Sequence, residues 1–104
     1  MNWEQVTLAI EAFRRQIAAE MGPAVREGAA QLKRVRVEMR RARRSFVRAA
    51  RRRGLLVQWE GKQGLYRVTR AGAGRDVTIG LRGLWELRGD VYRLVNSIED
   101  ALGA

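Results

Sequence analysis

The sequence predicts an α+β fold in which two N-terminal helices and one C-terminal helix pack with a three-stranded antiparallel meander. Three observations support this prediction. Apolar residues recur every three or four positions before residue 54, alternate with polar residues over residues 55–79, and return to helical spacing after residue 81. With 104 residues, of which 46% are hydrophobic, the chain is expected to fold as a single domain over residues 1–104.

The first helix is predicted over residues 1–21. Apolar residues at alternating spacings of three and four lie on one face of a helix. These residues are Trp3, Val6, Ile10, Phe13 and Ile17. Asn2 precedes them and is a candidate N-cap. Gly22 and Pro23 then end the helix, either as a hairpin turn or as a kink.

The second helix is predicted over residues 23–53 and contains a heptad repeat. Val25, Leu32, Met39 and Phe46 recur every seven residues, and Gly28, Val35, Ala42 and Ala49 lie three positions further on. Four consecutive heptads indicate close helix packing, either within the core of the chain or as a coiled coil between subunits of a homo-oligomer. The candidate oligomer interface comprises Val25, Leu32, Val35, Met39, Ala42 and Phe46.

The meander is predicted over residues 55–79. Strands at residues 55–60 and 65–70 flank a hairpin loop at residues 61–64, and a Gly-rich turn at residues 71–74 leads to a third strand at residues 75–79. The apolar face is predicted to contain Leu55, Val57, Trp59, Tyr66, Val68, Val77 and Ile79. Gln58, Glu60, Arg67 and Thr69 are predicted to face water. A sheet of this size needs helices on its apolar face.

The last helix is predicted over residues 81–102. Its apolar residues repeat in heptads at Leu84, Leu87, Val91, Leu94, Ile98 and Ala101. Gly83 and Gly89 weaken the helix. A break at Gly89, with Asp90 capping the second part, is the alternative to one continuous helix.

Positive charge is concentrated in the second helix. Ten arginines fall between Arg34 and Arg53, where Glu38 is the only acid, and the whole chain carries a net charge of +10. Arg36, Arg40, Arg44, Arg48 and Arg52 step by four and form a row along a helix. A solvated helix face normally mixes charges of both signs. This density of one sign therefore favours a polyanionic partner.

Nucleic acid is the partner that this pattern favours, with DNA ahead of RNA, through phosphate contacts rather than reading of bases. The predicted contacts are Arg34, Arg36, Arg40, Arg41, Arg43, Arg44, Arg48, Arg51, Arg52 and Arg53 on the helix, with Lys62 and Arg67 from the hairpin. An acidic protein surface ranks second and an anionic membrane lower. Tryptophan can stack on bases, but core packing is expected for Trp3 and Trp85, whereas Trp59 lies on a strand beside the basic region.

The segment from Phe46 to Val57, together with residues 59–62 and 66–69, resembles the end of the recognition helix and the wing of small bacterial winged-helix DNA-binding proteins. The resemblance implies a helix that enters the major groove and a wing that touches the DNA backbone. It assigns Arg40, Arg41, Arg44, Ser45 and Arg48 to the helix contacts, and Lys62, Gln63 and Arg67 to the wing contacts. The heptad spacing from Leu32 to Phe46 leaves no place for the turn that precedes the recognition helix in that family.

Enzyme chemistry has little support in the sequence. The chain has no His and no Cys, and it contains no Gly-Lys-Ser/Thr phosphate loop. No catalytic residue, metal site or cofactor is therefore predicted. No N-terminal run resembles a signal peptide. The protein is therefore expected in the cytoplasm or inside a viral particle, and it is not expected to be secreted.

The function expected from the sequence is non-enzymatic nucleic-acid binding, as an oligomer. The alternative is a structural or assembly protein of a phage particle or other large complex. In that alternative the heptads form subunit contacts, and the arginines face an acidic partner or packaged nucleic acid.

Overall fold

A computed structural model of the chain describes residues 1–19 and 23–103, and it describes side chains in these ranges except at residues 13, 16–19 and 23–28. The elements are α1 (Trp3–Ala19), α2 (Pro23–Arg52), β1 (Leu56–Glu60), β2 (Leu65–Thr69), β3 (Asp76–Gly80), α3 (Leu81–Glu86) and α4 (Val91–Leu102). The predicted α+β class is confirmed. The predicted turn or kink at Gly22 lies outside the described residues.

The chain divides into two compact units, Met1–Arg40 and Arg41–Ala104, and α2 contributes residues to both. The expectation of a single domain stays a prediction. Among the described residues, none of the helices combines the length and the apolar character that a membrane span requires.

In the first unit, α1 begins with the predicted cap. The Asn2 side chain accepts a hydrogen bond of 2.8 Å from the Gln5 backbone N–H, and the Gln5 side chain accepts one of 2.9 Å from the Asn2 backbone N–H. This reciprocal pair satisfies two backbone donors that a helix leaves unpaired at its start. Val6, one turn further on, is buried.

In the second unit, α2 ends in a Schellman motif. Gly54 adopts a φ of 74°, the Gly54 N–H donates to the Arg51 carbonyl, and the Leu55 N–H donates to the Ala50 carbonyl. Leu55 is buried beneath this turn. The predicted first strand therefore starts at Leu56 instead of Leu55, because Leu55 completes the helix stop.

The sheet is the predicted antiparallel meander in the order β1-β2-β3. Trp59 pairs with Tyr66, and Tyr66 pairs with Ile79. Val57, Val68 and Val77 align in the same way across the three strands. Because paired residues share a face, both rows lie on one side of the sheet, as predicted. Tyr66 and Val68, on the central strand, are buried.

The C-terminal segment contains two helices, so the alternative of a break at Gly89 with Asp90 as a cap is confirmed over one continuous helix at residues 81–102. α3 ends at Glu86, and α4 starts at Val91 after a turn. The Asp90 side chain accepts a hydrogen bond of 3.2 Å from the Arg93 N–H. Glycine at position 89 disfavours helix, and Asp90 is a good N-cap. Ending one helix and starting another at Asp90 therefore satisfies the backbone better than one continuous helix would.

The core of the second unit lies between the apolar face of the sheet and the helices. The ring centroids of Phe46 on α2 and Tyr66 on β2 lie 5.5 Å apart, and α3 and α4 both contact β3. Buried residues complete this core at Ala42, Ala49, Ala50, Leu84, Trp85, Leu94, Val95, Ile98 and Leu102. The C-terminal part of α2 is thus fixed by its apolar side, and its polar side faces solvent.

Candidate nucleic-acid interface

The solvent side of α2 in the second unit consists of five exposed arginines, which we call the arginine face. They are Arg41, Arg44, Arg48, Arg51 and Arg52. At about 100° per residue they occupy an arc of about 100°, opposite the buried Ala42 and Phe46. The face runs about 16 Å along the axis, since each residue adds about 1.5 Å. Several phosphates of a nucleic-acid strand fit this length.

The arginine face has no counter-charge within the described part of the chain. None of its five guanidinium groups forms an ion pair or a side-chain hydrogen bond with another described residue. The sequence from Arg41 to Arg53 also contains no acid. Neighbouring like charges at spacings of three and four each destabilise a helix by about 0.2–0.5 kcal/mol. An external anion bound to this face would relieve the repulsion.

Arg53, a predicted contact, is engaged inside the unit. Its guanidinium pairs with the carboxylate of Glu99 on α4 and donates a hydrogen bond of 2.9 Å to Asn96. Arg70, after β2, donates to the second oxygen of Glu99 at 3.0 Å. One carboxylate thus joins the end of α2, the end of β2 and α4, and Arg53 is a structural residue.

Arg67, another predicted contact, lies on the polar face of the sheet between two acids. Its Nη1 lies 2.8 Å from an Asp76 oxygen, and its Nε lies 3.2 Å from a Glu60 oxygen. These hydrogen bonds, the one to Asp76 first, raise the pKa of the Arg67 guanidinium above its ordinary value. Its charge is balanced on the outer side of the hairpin, where it stabilises the three strands.

Arg43 differs from its neighbours on α2 because it turns toward the sheet. Its Nε donates a hydrogen bond of 2.8 Å to the Tyr66 hydroxyl, and its guanidinium carbon lies 4.3 Å from the Trp59 ring centroid. The side chain is half-buried. A cation over an aromatic face gains electrostatic attraction. Arg43 therefore fixes the hairpin to α2.

The remaining predicted contacts are exposed. Lys62 lies at the tip of the β1–β2 hairpin, which is closed by hydrogen bonds from Gln63 and Gly64 N–H groups to the Glu60 carbonyl. In the first unit, Arg34, Arg36 and Arg40 are exposed on α2. The structure thus leaves nine of the twelve predicted basic contacts on the surface and engages Arg43, Arg53 and Arg67 with other side chains.

The residues predicted to form an oligomer interface do not form an exposed surface of the single chain. Leu32, Val35, Ala42 and Phe46 are buried within the single chain, and Met39 is half-buried. The Val25 side chain lies outside the described residues. A subunit contact through these positions stays a prediction, and the mass in solution tests it against the 11.8 kDa of one chain.

Sequence reasoning missed the internal role of Arg43, although a signal was present. Arg43 lies three positions before Phe46 and seven before Ala50, both of which are buried. That spacing places Arg43 on the edge of the apolar side of α2. The pairing of Arg53 with Glu99 had no such local signal, because the two residues are 46 positions apart.

Comparisons of the chain with protein-family models, with curated proteins and with solved structures gave no match.

Proposed function

We propose that the protein is a non-enzymatic nucleic-acid-binding protein that contacts the phosphate backbone through the arginine face of α2. The proposal is supported by a difference between two groups of arginines in the second unit, those paired with acids and those of the arginine face. Four acids of this unit, Glu60, Asp76, Glu86 and Glu99, pair with Arg53, Arg67, Arg70 and Arg82. The five arginines of the arginine face have no such partner among the described residues, and they project together from one side of a helix.

Arginine suits this role because its planar guanidinium binds phosphate oxygens in bidentate geometry and keeps its charge at every physiological pH. Duplex DNA presents one negative charge per about 1.7 Å of its axis, so a straight row of cations can neutralise several phosphates. Exposed Lys62 on the hairpin adds a further cation to the same unit. The proposal concerns backbone contact, which does not depend on base sequence.

The test is a salt titration of duplex binding, followed by fluorescence anisotropy. Neutralising five phosphates gives a slope of about −4.5 in a plot of log affinity against log salt concentration. The double variant R44Q/R48Q is expected to reduce the magnitude of this slope by about 2. Glutamine keeps a helix propensity close to that of arginine, so the helix is retained.

The matched control is R82Q/R93Q, which removes the same charge from exposed positions on α3 and α4. We expect this control to leave the slope within experimental error of the wild type. Equal slopes for the wild type and R44Q/R48Q would contradict the proposal. An equal reduction of the slope in R44Q/R48Q and R82Q/R93Q would also contradict it, because a change in net charge alone would then explain the reduction.

A further inference from the structure

Trp59 is a partly exposed aromatic residue at the end of β1. The residue keeps 37% of its surface exposed, although it lies on the apolar face of the sheet. The other described tryptophan of the same unit, Trp85, is buried. The Trp59 ring thus combines contacts with Arg43 and Tyr66 with an accessible surface.

Arg43 and Tyr66 both contact the Trp59 ring. The Arg43 guanidinium carbon is 4.3 Å from the Trp59 centroid, the Tyr66 centroid is 4.8 Å from it, and Arg43 is 5.6 Å from the Tyr66 centroid. These three separations form a triangle with an acute angle at Trp59. Arg43 and Tyr66 therefore do not sandwich the indole between them, and part of the indole surface stays exposed.

The ring is also held in place before any ligand arrives. Arg43 is fixed by its hydrogen bond to Tyr66, and Tyr66 is buried on the central strand. Gly61 lies beside the indole edge, and a Cβ added there would come within 3.5 Å of the Trp59 Nε1 atom. A fixed, open ring loses little conformational freedom when a flat partner stacks on it.

The charges near Trp59 favour an anionic ligand. Arg44 follows Arg43 on α2 and is exposed, and Lys62 is exposed at the hairpin tip. Glu60, the nearest acid in sequence, lies on the opposite face of the strand and pairs with Arg67. Exposed cations therefore follow both Arg43 and Trp59 closely in the chain.

We propose that Trp59 is a stacking platform for an unpaired base of a single-stranded nucleic acid, with Arg44 and Lys62 contacting the flanking phosphates. This inference rests on the proposed function and extends it from the phosphates to the bases. Stacking accepts any base because each has an aromatic face, and it requires the base to be out of a duplex. The ligand class is thus single-stranded DNA or RNA, or a duplex with an unpaired segment.

The experiment compares W59L with the wild type on single-stranded oligothymidylate, single-stranded oligouridylate and a fully paired duplex of the same length. Loss of a stacking aromatic is expected to weaken single-strand binding about tenfold, and duplex binding is expected to stay within about twofold. A tenfold loss on only one of the two single strands supports the platform and shows which of the two strands it accepts. Equal weakening on single strands and duplex, or no weakening on either single strand, would overturn the inference.

A second readout keeps the test decisive if W59L folds poorly. The variant W59F retains an aromatic ring against Arg43 but removes the indole fluorophore. Because Trp3 is only half-buried, the comparison is made in a W3F background. Oligothymidylate is expected to quench the tryptophan fluorescence of W3F and to leave that of W3F/W59F unchanged, since Trp85, the one remaining tryptophan, is buried. Quenching that persists in W3F/W59F would overturn the assignment to Trp59.

The two proposals can fail separately. If R44Q/R48Q reduces the salt slope and W59L binds single strands like the wild type, only the stacking platform is refuted. If the wild type binds neither single strands nor duplex, the proposed function is refuted and the platform is refuted with it.

Discussion

The Nε atom of Arg43 donates a hydrogen bond of 2.8 Å to the hydroxyl oxygen of Tyr66, although the two residues are 23 positions apart in the chain. Arg44, the next residue, is exposed and has no ion pair among the described residues. Adjacent arginines of one helix therefore have different roles. Arg43 joins α2 to the sheet, and Arg44 is available to a ligand.

The substitutions Arg43→Gln and Arg44→Gln are expected to change stability in opposite directions. Arg43→Gln removes a hydrogen bond and a cation–π contact and is expected to lower the free energy of unfolding by about 1–3 kcal/mol. Arg44→Gln relieves repulsion between neighbouring arginines and is expected to raise the free energy of unfolding by roughly 0.3 kcal/mol. Urea unfolding of both variants measures the difference. A loss of similar size at both positions would contradict the separate roles.

The variant R44Q/R48Q is expected to gain stability while it loses affinity for nucleic acid. Removing two charges from rows of neighbouring arginines should raise the free energy of unfolding by about 0.5–1 kcal/mol at low salt. The gain is expected to shrink as salt screens the repulsion. Thermal unfolding at two salt concentrations measures it, with R82Q/R93Q as the control that shows no gain. A destabilised R44Q/R48Q would mean that these arginines support the fold.

Glu99→Gln is expected to destabilise the protein more than Glu86→Gln does. Glu99 pairs with both Arg53 and Arg70, and its side chain is only 26% exposed, whereas Glu86 pairs with Arg82 on an open helix surface. We expect a loss of about 1–2 kcal/mol for Glu99→Gln and at most about 0.5 kcal/mol for Glu86→Gln. Chemical unfolding of the two variants side by side checks this order. Equal losses of stability would show that the two ion pairs of Glu99 contribute no more than the single ion pair of Glu86.

Gly54→Ala and Gly83→Ala are expected to have opposite effects. Gly54 ends α2 with a φ of 74°, where a Cβ costs about 1–2 kcal/mol. Gly83 lies within α3, and a Cβ there would meet no atom within 4 Å, so alanine is expected to gain up to about 1 kcal/mol from helix propensity. The melting temperatures of the two variants report the signs. A neutral Gly54→Ala would argue against the Schellman motif.

Local signals predicted most of the fold. The alternation from Leu56 to Gly80 set the strands, and Gly54 marked the end of α2, because turn chemistry and side-chain periodicity act over a few residues. The C-terminal helix was less certain, since Gly89 and Asp90 compete with an apolar stripe that continues across them. The structure shows that the cap at Asp90 prevails.

The candidate site was less predictable than the fold, because tertiary contacts decide which arginines pair with other side chains and which stay exposed. All ten arginines between Arg34 and Arg53 look alike in the sequence, and only folding brings Glu99 to Arg53 and Trp59 to Arg43. The helix phase could have separated Arg43 from Arg44. No local pattern could have predicted that Glu60 and Asp76 enclose Arg67, since their meeting requires the register of all three strands.

The separation of the apolar and charged sides of α2 has a thermodynamic consequence. Ala42, Phe46, Ala49 and Ala50 are already buried, so a strand of phosphates can lie on the arginine face without burying further apolar surface of this helix. Such association is expected to be driven by the release of condensed cations and to show only a small change in heat capacity. It is also expected to be fast at low ionic strength, since the field of five adjacent cations attracts an anion before contact is made.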